Sequence, residues 1–265
     1  MRRPRRLVPA LALLAGLALS EDASAQRGGG AAPAGPLPSA RAVAPKDLTG
    51  TWVSVVAEHW HLRMLVPPQG DFSMLPLNAE ARRIASQWDP AKEPAGEQCK
   101  SYGAAAIMRV PGRLHIQWTG DNTLQMEIDS GTQTRTFHFG GLAPASGAPT
   151  WQGYSVAEWE GIPAAQLRAR TPSSGEDARG GLKVTTTRMR PGYLRKNGIP
   201  YGASATLVEH VDRFTEPNGD EWIVVDSIVT DPEYLTQPYI TSVAFKRIPD
   251  RSGWDPTPCR ANEAR

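Results

Sequence analysis

The chain has 265 residues, with 29 Lys+Arg against 27 Asp+Glu, 40% hydrophobic and 7% aromatic residues, 25 Gly, 24 Pro and 2 Cys. This much apolar material excludes a wholly disordered chain. Two cysteines exclude a disulfide-dense miniprotein and a multi-Cys zinc module, and the Gly and Pro load argues against long helices.

The N-terminus reads as a targeting segment. Four arginines lie within residues 1–6, residues 7–19 are apolar, and Ala23-Ser24-Ala25 forms a small-x-small cleavage pattern before Gln26. This is the layout of a secretory signal peptide over residues 1–25. The apolar stretch is too short for a membrane anchor, and no later run approaches the ~18 apolar residues of a spanning helix. The Arg5-Arg6 pair leaves Sec and twin-arginine export both open. Cleavage removes Arg2, Arg3, Arg5, Arg6, Glu21 and Asp22, leaving 25 basic and 25 acidic residues. The mature chain is then neutral, and no global charge remains to attract nucleic acid or an anionic membrane. A periplasmic or extracellular location favours a Cys99–Cys259 disulfide that staples the C-terminal tail to the domain body.

Residues 26–46 are rich in Gly, Ala and Pro without apolar periodicity and read as a disordered linker. The folded domain is expected over 47–262. Residues 51–56 are β-branched and aromatic, hence a strand. Asn78 can cap one short helix over 79–88, which ends before Asp89-Pro90. Residues 113–118 and 123–128 alternate apolar and polar side chains about the turn Thr119-Gly120-Asp121-Asn122, giving a hairpin with one dry face and one wet face. Further strands fit 132–139, 154–159, 182–189, 205–214, 221–230 and 240–248, with Pro217-Asn218-Gly219-Asp220 as a turn. Residues 161–181 read as a surface loop. About nine antiparallel strands must bury their apolar faces and hide their edges, and closing into a single barrel does both. A β-sandwich is the alternative.

Leu48-Thr49-Gly50-Thr51-Trp52 resembles the G-x-W start of lipocalin-like, or calycin, barrels, which implies that Trp52 plugs one barrel end. Three more segments are similar to the signature blocks of a group of exported bacterial proteins with no established activity. They are Gly153-Tyr154-Ser155-Val156-Ala157-Glu158-Trp159-Glu160-Gly161, Val211-Asp212-Arg213-Phe214, and Asp231-Pro232-Glu233-Tyr234-Leu235-Thr236-Gln237-Pro238-Tyr239. The likeness covers most of the mature chain. It departs from the group where residues 161–181 interrupt the first block and where Gln237 replaces a common Arg. It implies export and a barrel, and it names no reaction.

Three features carry candidate chemistry. On a strand, His59 and His61 of His59-Trp60-His61 share a face. They can serve acid–base work, or hold Zn²⁺ or Cu²⁺ with a third ligand from His115, His138 or His210. The plainer reading is a polar strand edge beside Glu58 and Arg63. In 205–214, His210 and Asp212 share one face, where the carboxylate can orient the imidazole as a general base. Glu209 and Arg213 share the other, where they fit a cross-strand ion pair. A solvated outer face is the plainer reading of His210 and Asp212. The segment 190–201 gathers two tyrosines and three cations in one strand connection. Tyr193 and Tyr201 can stack on a ring, Arg195 can meet an anion, and Arg188 lies on the strand leading in. The same aromatics fit a cover over the barrel end. No G-x-S-x-G elbow, phosphate-cradling loop or dinucleotide fingerprint is present.

The reading is a single exported lipocalin-like antiparallel barrel with one short helix. It binds a small, largely apolar or aromatic molecule and needs no cofactor, metal or nucleic acid. The alternatives are a barrel enzyme using His59, His61, His210 and Asp212, or an interaction domain whose lumen is full of side chains.

Overall fold

A computed structural model describes residues 38–141, 147–161 and 180–263. The expected signal peptide and most of the loop at 161–181 lie outside them. The strands in chain order are β1 (Gly50–Val55), β2 (Arg113–Gly120), β3 (Thr123–Ile128), β4 (Gln133–Phe139), β5 (Tyr154–Trp159) and β6 (Leu182–Thr187), then β7 (Gly192–Arg195), β8 (Ile199–Tyr201), β9 (Thr206–Thr215), β10 (Glu221–Thr230) and β11 (Tyr239–Ile248). Nine of them close into a barrel in the order β1-β11-β10-β9-β6-β5-β4-β3-β2, while β7 and β8 pair only with each other. Neighbours are antiparallel except β4 and β5, which run parallel. The closed barrel, and not the sandwich, is the architecture.

Alternation dictates the lumen. Trp52, Ile116, Met126, Phe137, Ala157, Val184, Val211, Val225 and Phe245 come one from each barrel strand, and all belong to a single buried cluster. The inner face is therefore packed with side chains, as period-two strands in a small barrel require. One polar network interrupts it. Arg135 on β4 forms a bidentate pair with Glu209 on β9 at 2.8 and 2.5 Å, and donates to Thr186 Oγ1 at 3.3 Å. Thr186 in turn shares a 2.8 Å hydrogen bond with Ser155 Oγ. Both charges are buried, Arg135 at 1% and Glu209 at 2% exposure. Glu209 thus pairs across the lumen, while Arg213 meets Glu221 on β10.

The two barrel ends differ. At one end Trp118, Phe139 and Trp159 pack together, and Trp159 Nε1 donates to the Ala40 carbonyl at 2.8 Å. Residues 38–46, expected within the linker, lie against the barrel here: Ala40 N donates to Asn122 Oδ1 at 2.7 Å and Arg41 N to the Asp121 carbonyl at 3.0 Å. A second apolar cluster covers the opposite end. It joins Met189, Leu207, Val229 and Tyr239, at or just beyond the strand ends there, to the β7–β8 hairpin and to α2 (Ala79–Gln87) and α3 (Ala104–Ile107). Helix α2 is the expected helix, and the Asn78 side chain accepts from Ala81 N at 2.9 Å. A one-turn helix, α1 (Trp60–Arg63), follows β1.

Cys99 and Cys259 are joined by a disulfide across a sequence separation of 160 residues. Reduction, or Cys99→Ser, should lower the melting temperature by roughly 5 to 15 °C, because the unfolded chain regains the entropy of a long loop. An unchanged melting temperature would count against the staple. The lumen pair gives a second test. Glu209→Gln leaves Arg135 buried without its charge partner and should cost about 3–5 kcal/mol in urea unfolding. Arg135→Met combined with Glu209→Leu should recover most of that loss, and a double variant as unstable as the single one would contradict this role.

Candidate functional site

At the α2–α3 end, three segments converge on a pocket. After β1 the chain turns through His59, whose left-handed backbone (φ 47°, ψ 36°) starts α1. Leu62 and Arg63 point inward from this turn, at 7% and 3% exposure. The second segment is the apolar run 104–110. Ile107, Met108 and Val110 join the lumen cluster, and Arg109 is carried down with them to 8% exposure. The third is the β7–β8 hairpin. Its turn needs Gly198 at φ 79°, a left-handed position where a Cβ would also run into the Trp88 side chain. Asn197 anchors the turn, donating through Nδ2 to the carbonyls of Pro68 at 3.1 Å and Asp71 at 3.0 Å. Arg195 and Lys196 are thereby held at 5% and 6% exposure.

The result is a cavity of about 30 Å³ lined by Leu62, Arg63, Leu65, Pro67, Ser101, Ala106, Arg109, Val110, Leu194, Arg195 and Lys196. Four of its side chains are cations. Arg63 Nε donates to the Arg109 carbonyl at 3.1 Å, and its Nη1 pairs with Glu58. Arg63 Nη2, Arg109 Nη2, and Arg195 Nε and Nη1 are buried and have no hydrogen-bond partner among the described residues. Burial pushes the Arg63 and Arg109 pKa values down; less strongly, Arg109 lowers that of Arg63 and Arg195 lowers that of Arg109. A guanidinium still keeps its proton at neutral pH.

Lys196 differs. Its Nζ donates to Tyr102 Oη at 2.5 Å and to the Glu263 carbonyl at 2.6 Å, and lies 3.9 Å from the Tyr102 ring centroid. Burial outweighs the Glu263 carboxylate and brings its pKa down to about 7.

The residues singled out in the sequence fall in several places. His59 and His61 do not share a strand face, because β1 ends at Val55; His59 caps α1 and His61 lies in its exposed turn. His59 feels Arg109 and Arg195, and burial followed by Arg109 lowers its pKa. His210 and Asp212 share the outer face of β9 but pair elsewhere: His210 Nδ1 lies 2.7 Å from Glu160 Oε2, and Asp212 pairs with Lys46. Tyr193 donates to Glu93 and packs edge-on against Trp88. Tyr201 is fully buried in the end-cap cluster. Burial raises both phenol pKa values, and neither ring is an open stacking platform. Arg188 turns outward to the Gly147 carbonyl. Of the expected binding residues, Arg195 alone lines the pocket. His115 bonds Thr51 Oγ1 at 3.1 Å, and His138 stacks on Tyr154. No group of three His, Cys, Asp or Glu is placed to hold a metal among the described residues.

The sequence reading passed over Arg109, Arg63 and Lys196. The available signal was Arg109 itself, one cation within an apolar run bounded by Gly103 and Gly112. A shallow hollow of about 300 Å³ at Gly219–Pro249 is a weaker site, since its Glu221 already pairs with Arg213 and Arg247.

No family model matches the chain, and neither a curated protein nor a solved structure matches it.

The Lys196 environment fixes a pH dependence. An ammonium with a folded pKa near 7 and an unfolded pKa near 10.4 binds fewer protons when folded, so folding stability rises with pH across that window. Urea unfolding at pH 7 and pH 9.5 should show a larger gain for the native chain than for Lys196→Met. Equal gains would contradict the assignment.

Proposed function

We propose that the protein is an exported, lipocalin-like barrel, periplasmic or extracellular, that binds a small and largely apolar molecule. The molecule carries an anionic group that sits on Arg63, Arg109 and Arg195, outside the lumen. The observation that supports this is that four buried guanidinium nitrogens converge on one pocket without a partner among the described residues. A buried charge-bearing donor left unpaired costs about 1–3 kcal/mol or more, so such groups persist where something else completes them. A carboxylate or another oxyanion matches the planar fork of a guanidinium and forms the strong, charge-assisted bonds. The apolar share of the lining, Leu62, Leu65, Pro67, Ala106, Val110 and Leu194, suits the rest of such a molecule.

The lumen offers less support as the site, because side chains from all nine strands fill it. The enzyme reading is weakened by His210 and Asp212, which are bonded to other groups on the outer wall.

The test is thermal unfolding with added phosphate or hexanoate, compared between the native chain and Arg109→Met. Saturating anion, at roughly 100 times its Kd, should raise the native melting temperature by about 5–10 °C. Arg109→Met should melt higher than the native chain without anion, because it removes an unpaired buried cation, and should lose the response. The same comparison controls for general salting effects on folded proteins. An identical response in both proteins would refute the site.

A further inference from the structure

The rim of the pocket has apolar side chains that are exposed among the described residues. Leu65 is part of the lining yet is 59% exposed, and Trp60 and Met64 are exposed at 59% and 51%. The Met64 amide bonds the Trp60 carbonyl at 2.7 Å, so these two side chains lie one turn apart on the outer side of α1, with Leu65 next in sequence. One short segment therefore sends Arg63 into the cavity and turns three large apolar groups to solvent. Exposed neighbours of this size on a folded domain mark an interaction surface more often than scattered single residues do.

The cavity supplies the second half of the argument. At about 30 Å³ it accepts the head of an oxyanion and little more. Leu65 is the one exposed residue of the lining, so a group attached to that head leaves past Leu65, which follows Met64 in sequence. The one carboxylate on this segment, Glu58, is engaged by Arg63, so no free acidic group on it repels an approaching anion.

Resting on the anion reading of the pocket, we propose that the ligand is a single-chain amphiphile. A carboxylate, sulfate ester or phosphate ester head sits among Arg63, Arg109 and Arg195. An unbranched apolar tail lies outside the barrel along Leu65, Met64 and Trp60. The tail covers the exposed apolar rim, and the head completes the unpaired guanidinium donors. An ion alone fills only the head half of the site, and a neutral hydrocarbon alone only the tail half.

The experiment is calorimetric titration of the full mature chain with inorganic phosphate and with octyl phosphate below its micelle concentration. Octyl phosphate should bind about 100-fold more tightly, the factor expected when three or four methylenes leave water. Trp60→Ser combined with Met64→Ser changes exposed side chains and should fold normally. It should keep the phosphate affinity and lose at least 10-fold of the octyl advantage. Equal affinities for the two ligands, or an octyl advantage that survives the double substitution, would overturn the amphiphile while leaving the anion site standing. Binding of neither ligand, or octyl binding that is indifferent to Arg109→Met, would overturn the anion site itself. Sedimentation with phosphatidylglycerol vesicles in the absence of any octyl phosphate binding would assign the rim to a membrane surface and overturn the proposal.

Discussion

β1 is six residues long, yet it pairs with β2 along one edge and β11 along the other, so the sheet has no free edge and encloses its inner face. Enclosure fixes what the inward positions can be. Trp52, Phe137 and Phe245 fill the lumen, and the only described ion pair buried there, Arg135–Glu209, joins β4 to β9 and leaves only Arg135 Nε without a partner on that guanidinium. In the proposed function, ligand chemistry lies instead at the barrel end, where α1, α3 and the β7–β8 hairpin meet. The guanidinium groups there are nearly as buried as Arg135, and only Arg63 meets a carboxylate, so four of their nitrogens have no partner among the described residues.

That contrast between two kinds of buried arginine organises the molecule. Arg135 meets a carboxylate in bidentate geometry, an arrangement in which attraction can offset desolvation. Arg109 Nη2 has no hydrogen-bond partner among the described residues, and the side chain is held inside by the apolar run that carries it. An unpaired buried cation costs stability, and in the proposed function a bound anion offsets that cost. The C-terminal tail adds to this arrangement. The Cys99–Cys259 bond and the Glu263 carbonyl hold the tail against Tyr102 and Lys196, so the disulfide also helps to build one wall of the pocket.

Much of this architecture was legible in the sequence. The alternation of 113–118 and 123–128, the Asn78 cap and the turn at 217–220 are local signals, and each of the nine barrel strands is legible to within two residues, whereas β7 and β8 lie in what reads as a strand connection. The barrel followed from edges that had to be hidden. The site was far less legible, because its residues are brought together by long-range packing. Arg63, Arg109 and Arg195 lie in three separate segments, and nothing in their spacing announces a shared cavity. His59 and His61 were read on a strand that in fact ends at Val55. His210 and Asp212 did share a face, but the face was the outer one. Tyr201 was chosen for its ring chemistry and is a core residue. Composition identifies which groups can carry chemistry, whereas burial without a partner identifies which ones are left to do it.

The central claim is that an anion completes the arginine pocket, and anomalous diffraction from crystals grown with selenate tests it most directly. The account predicts a selenium peak within hydrogen-bonding distance of Arg63, Arg109 and Arg195, lost in Arg109→Met crystals. Ordered water alone among the three guanidinium groups, at saturating selenate, would contradict it.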